Sequence, residues 1–184
     1  MVSLRSLVAA AALIAAPVVV ALSAQQTADG LNMLSQKSTK LNGHAQSITV
    51  ANGPLIVIGQ GPFSEIISGY SDIISTANTL IAQQDATAAF VGADATLVYN
   101  AYRNFVYANQ ATLNILIGKA GLFSTVPVIG QPMAAVLRGV ENVYDTIGFS
   151  LVDLVEYRGE DVKFDLNFLN DLINLTITKY EGMI

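Results

Sequence analysis

Apolar residues recur at helical spacing along almost the whole of this chain, and it has no cysteine. Without disulfides to limit the unfolded state, stability must come from burying those stripes against one another. Hydrophobic residues make up 52% of the 184 positions and charged residues 12%, about half the usual charged share. The periodicity predicts an all-α fold, an antiparallel bundle of about five helices. The open question is whether the stripes fill a core or wall a container.

The first residues read as a leader. Met1 to Arg5 gives a short basic start, Leu7 to Leu22 is apolar apart from Pro17, and small residues follow at Ala21, Ser23 and Ala24. That is the pattern of a secretory signal peptide, with cleavage expected after Ala21 or Ser23. The expected organisation is a signal peptide over 1–23 and one helical domain over 24–184. Loss of Arg5 shifts the net charge from −5 to −6. There is no basic stripe, so no nucleic-acid partner is expected. The C-terminus lacks a hydrophobic tail, which favours a released, extracellular product.

Five helices are expected. The first covers about 26–49, with Leu31, Leu34, Leu41, Ala45 and Ile48 in a narrow seam and Ser38 in the missing place. The second covers about 63–84. Its stripe of Phe63, Ile66, Ile67, Tyr70, Ile73, Ile74, Ala77, Leu80 and Ile81 is wider than a two-helix seam needs. The third covers about 94–119, with Val98, Ala101, Tyr102, Phe105 and Ala108 inward, and Asn100, Arg103, Tyr107, Gln110 and Asn114 outward. The fourth is expected from Met133 to Glu156, inward through Val136, Leu137, Val140, Val143, Tyr144, Ile147 and Leu151. The fifth is expected from Asp161, as N-cap, to Tyr180. Its stripe of Val162, Leu166, Leu169, Ile173 and Ile177 is widened by Phe168, Leu172 and Leu175. Two connectors are unusually apolar, 54–58 and 122–129. Flanking Gly and Pro imply that neither continues a helix, so each is a buried crossing or a lid.

The catalytic inventory is thin. His44 is the one histidine, and no nucleophile elbow or Glu-x-x-His motif accompanies it. With no thiolate and no clustered ligands, no catalytic residue, metal or cofactor is expected. Gly59-Gln60-Gly61 lacks the rest of a dinucleotide fingerprint. Asn174-Leu175-Thr176 is a sequon for N-glycosylation on the polar face of the fifth helix.

Helix order, the Leu113-Asn114-Ile115-Leu116-Ile117-Gly118-Lys119-Ala120-Gly121-Leu122-Phe123 closure of the third helix and the absence of cysteine make the chain similar to a fungal family. These features, with Ala28-Asp29-Gly30-Leu31-Asn32-Met33-Leu34 and Val136-Leu137-Arg138-Gly139-Val140-Glu141, resemble the hydrophobic-surface-binding (HsbA-like) and cell-wall galactomannoprotein family. The resemblance implies a secreted, non-enzymatic bundle. Members of the family adsorb to hydrophobic surfaces and recruit secreted hydrolases, or carry fatty acids between their helices. Wall-associated members carry a Ser/Thr-rich stalk and a GPI tail, which this sequence lacks.

The width of the stripes leads to the same partners, a fatty acid or other lipid and hydrophobic surfaces. The expected lining of a lipid site is Tyr70, Ile74, Tyr102, Phe105, Val140 and Tyr144. A chain of about 15 methylenes would gain at most roughly 12 kcal/mol on burial, at about 0.8 kcal/mol each, before ordering costs. A structural cell-wall mannoprotein and a membrane-active helical effector are the alternative expectations.

Overall fold

A computed structural model describes residues 21–84, 87–123, 127–155 and 157–182, with the backbone alone at Gly53, Ile56, Val57, Phe123 and Pro127. The expected leader lies outside the described residues except for 21–23. Among the described residues the chain is helical: α1 (Ala24–Gln46), α2 (Pro62–Gln84), α3 (Gly92–Ala120), α4 (Pro127–Leu154) and α5 (Gly159–Glu181). Short 3₁₀ segments cover Val50–Ile58 and Gly121–Phe123. A single bridge pairs Phe90 with Val155.

Local chemistry sets the ends of these helices. Ser23 and Gln26 form a capping box at the start of α1, with Ser23 Oγ accepting from Gln26 N at 3.2 Å and Gln26 Oε1 from Ser23 N at 2.9 Å. This satisfies two donors that the first turn would otherwise leave unpaired. At α5 the expected Asp161 cap is not used. Arg158 holds the cap position without a side-chain bond, and Asp161 sits in the first turn, where its Oδ2 accepts from Arg158 Nη1 at 3.0 Å. Tyr157, in the left-handed region at φ 62°, turns the chain from α4 into α5.

The second apolar connector is also corrected. Residues 127–129 do continue a helix, because they are its first turn. Pro127 stands where the backbone N–H would have no partner anyway, and Pro132 is accommodated within the next turn. Nor is either connector simply a buried crossing. Val50 is 64% exposed and Ile58 65%, and Leu55, Leu122 and Val128 are exposed as well, while Ile129 is buried.

The helices close into a ring. Each has two principal neighbours, in the order α1, α3, α5, α4, α2 and back to α1. The first three ascend side by side and the other two descend. Glycines bring neighbouring helices of the ring together. Gly30 of α1 lies under Leu80 of α2, and Gly69 of α2 lies under Leu41 of α1, a reciprocal pair about three turns apart. Gly139 seats Ile74 between α2 and α4, and Gly148 seats Leu166 between α4 and α5. A methyl group at any of these four positions would fall inside van der Waals distance of the leucine or isoleucine opposite, so the interaxial spacing depends on their absence.

The core is the inside of this ring. Every helix supplies fully buried apolar side chains to it. The expected widening of the α5 stripe is only partly present. Leu172 packs partly against the core, but Phe168 is 48% exposed and Leu175 44%. A helix with two neighbours in a ring buries one arc, and these two residues fall outside it.

Candidate site on the ring axis

Aromatic side chains from α2, α3, α4 and α5 fill the axis. At one end the rings of Phe63 and Tyr180 meet edge to face at 6.4 Å. Further along, Phe105 meets Tyr144 edge to face at 4.7 Å, and Tyr102 follows at 6.1 Å from Phe105. Such pairs add to burial through the ring quadrupoles. Tyr70 is also fully buried, with the phenols of Tyr144 and Tyr180 as its titratable neighbours. Of the six expected lining residues, Tyr70, Tyr102, Phe105, Val140 and Tyr144 are fully buried inside the ring. Ile74 is different: it is half-buried and sits in the α2–α4 seam on Gly139.

A polar centre interrupts this core. Asn109 of α3 is fully buried, and its Oδ1 accepts from Ser38 Oγ at 2.9 Å and from Tyr144 Oη at 2.7 Å. Its Nδ2 donates to Phe105 O at 2.9 Å. Thr112, one turn on, donates to Ser38 O at 3.0 Å. Three helices are thus tied by uncharged groups in the buried interior, where an unmade bond is expensive. Asn109 and Thr112 had a signal in the sequence: with Val98, Tyr102, Phe105 and Leu116 they fall on one helical face.

Not every buried polar atom is paired. The hydroxyls of Tyr70, Tyr102, Thr27 and Ser35, Nε2 of Gln84 and Oδ1 of Asn170 have no hydrogen-bond partner. Those of Thr27, Ser35, Tyr70 and Gln84 belong to α1 or α2, that of Tyr102 to α3 and that of Asn170 to α5. The seam between those two helices is also grooved. A cleft of about 790 Å³ is lined by Leu22, Gln26, Gly30, Met33, Thr79 and Leu80 among others. A second of about 430 Å³ continues past Met33 to Lys40, His44, Glu65 and Asp72. The larger falls within the range of small-molecule sites. None of the six expected lining residues borders either cleft.

Charge is kept away from the axis. The one charged side chain buried among the described residues is Asp165, between α3 and α5, where its Oδ2 accepts from Tyr99 Oη at 3.3 Å. Burial raises its pKa from the ordinary aspartate value, against the opposing pull of Arg103 and the Tyr99 bond. A raised folded-state pKa means that Asp165 favours folding while it is protonated, and this contribution is lost as pH rises through the folded value. Asp165→Asn is therefore expected to gain stability relative to the parent as pH is raised from about 3 to 7, read as the difference in urea midpoints.

Among the described residues, no cluster of His, Asp or Glu could hold a metal ion, and no helix is long and apolar enough to cross a membrane. His44 is half-buried in the second cleft, with Lys37, Lys40, Glu65 and Asp72 around the same opening. Asn174 is exposed on the outer face of α5.

No family model matches the chain, and no curated protein matches it. Among solved structures, the crystal structure of AfMP4p in complex with palmitic acid shares the fold. The TM-score is 0.74 at 16% identity, over 85% of this chain and 99% of that one.

Proposed function

We propose that this protein is a secreted, non-enzymatic carrier that takes a single acyl chain into its ring of helices. The observation that carries the reading is the closed five-helix ring itself. Its axis is walled by long apolar stripes and occupied by side chains rather than by a sixth helix. The likeness to AfMP4p supports it, because a ring of this fold has been seen with palmitic acid. The α1–α2 seam is the side that admits the ligand. It holds the two clefts described above, and most of the unpaired polar atoms lie on its two helices.

Native mass spectrometry of delipidated protein tests the reading. Addition of palmitic acid is expected to give a complex of one protein with one lipid. The absence of any bound species across a series of fatty acids would remove it.

A second activity, adsorption to hydrophobic surfaces, is supported by one end of the ring. No charged residue occurs between His44 and Glu65, or between Lys119 and Arg138. Both stretches meet at that end, where Val50, Leu55, Ile58, Leu122 and Val128 are exposed. Desolvating such a surface is cheap and burying it is favourable. Recruitment of secreted hydrolases to a coated surface, and association with a cell wall, would follow from this end rather than from the axis. Depletion by hydrophobic beads, compared with a variant bearing Val50→Lys and Ile58→Lys, separates the two activities.

A further inference from the structure

The ring interior contains a hydroxyl donor with no acceptor. Tyr70 is fully buried, and its Oη has no hydrogen-bond partner. The protons of its phenol neighbours are already committed. Tyr144 Oη donates to Asn109 Oδ1 at 2.7 Å, and Tyr180 Oη donates to Leu116 O at 3.2 Å. Burial, and then the phenols of Tyr144 and Tyr180, keep the Tyr70 hydroxyl protonated far beyond its usual range.

Phenylalanine would fill this volume without the penalty of an unpaired polar atom. The unpaired hydroxyl is therefore available to a group that enters from outside and brings an oxygen. Tyr102, the other unpaired phenol, is less suited to that role, since the carboxylates of Asp165 and Asp145 act on it. The titratable groups that act on Tyr70 are phenols. No Lys or Arg is buried among the described residues, so an ionised carboxylate brought here would find no counter-charge.

We propose that Tyr70 is the head-group anchor of the acyl site, and that the head it accepts is an uncharged oxygen function: a protonated fatty acid, a fatty alcohol or an ester. This rests on the acyl-carrier reading above. The hydroxyl donates to the ligand oxygen, and the acyl chain runs along the apolar walls of the ring.

The test is equilibrium dialysis of the delipidated chain, parent and Tyr70→Phe, against 12-carbon ligands delivered from cyclodextrin: dodecanol, lauric acid, methyl laurate, dodecane and dodecyltrimethylammonium. The parent is expected to bind the alcohol and the ester about tenfold more tightly than dodecane, the worth of one buried hydrogen bond. It is expected to bind the ammonium more weakly than either. Tyr70→Phe is expected to erase the gap between alcohol and dodecane while leaving dodecane unchanged. A merely structural role for Tyr70 would shift dodecane as well, and that result overturns the anchor, as does equal binding of the alcohol by both proteins. If neither protein binds any ligand, the carrier reading falls together with the anchor. If both bind every ligand alike, only the anchor falls.

Discussion

Asn109→Leu is expected to cost the fold about 3–5 kcal/mol, although leucine is close to asparagine in size and better suited to a core. The cost lies in what remains behind. Ser38 Oγ and Tyr144 Oη both donate to Asn109 Oδ1, and both are fully buried. Each would lose its Asn109 acceptor, at about 1–3 kcal/mol apiece, less what the contact between the two hydroxyls returns. Phe105 O loses the side-chain donor as well. In a domain of this size the melting temperature should fall by roughly 6–20 °C, at about 2–4 °C per kcal/mol, as read by circular dichroism. The control is the triple variant Asn109→Leu, Ser38→Ala, Tyr144→Phe. Removing the stranded donors together with their acceptor should restore most of the loss. A triple variant as unstable as the single one would show that shape, not hydrogen bonding, is what Asn109 supplies.

The same residue shows where the sequence stops being readable. Helix existence was plain from the stripes, since Leu31, Leu34, Leu41 and Ala45 of α1, or Val140, Tyr144, Ile147 and Leu151 of α4, leave little alternative to a 3.6-residue period. Assigning polar residues outward by type then placed Ser38 correctly, because it filled a gap in an apolar seam. It missed Asn109 and Thr112, which occupy equivalent gaps on a broader face. The reverse error placed Phe168 and Leu175 inward by type, where the ring leaves them outside. The order of helices around the ring was not readable at all. It depends on Gly30, Gly69, Gly139 and Gly148 each meeting one particular side chain across a seam, and a glycine in a helix announces a close approach without naming its partner. The burial of Tyr70, Tyr102, Phe105 and Tyr144 was legible in the sequence, but the packing of Phe105 against Tyr144 and the unpaired hydroxyl of Tyr70 needed three dimensions.

Phe105→Ala is expected to act in opposite directions on stability and on binding. The ring of Phe105 is fully buried and touches both Tyr102 and Tyr144 in the axial column. Its removal should destabilise the free protein by about 3–5 kcal/mol through lost contacts and the void they leave. That void lies on the axis, where we propose that the acyl chain runs. A ligand that fills it regains contacts that the parent already has, so the variant gains more from the ligand than the parent does. Saturation at about 100 times Kd adds about 2.7 kcal/mol to either protein, and tighter binding by the variant enlarges its share. Thermal melts with and without palmitic acid should show a lower starting temperature for Phe105→Ala but a larger upward shift on ligand addition. Equal shifts would place the acyl chain off the axis, in the cleft that Gly30, Met33 and Leu80 line between α1 and α2. Met33→Trp, projecting across that cleft, should then abolish the shift in both backgrounds. If the axis is the site, the same substitution should slow ligand entry through the seam while leaving the final shift intact, because a gate alters the rate of loading and not its equilibrium.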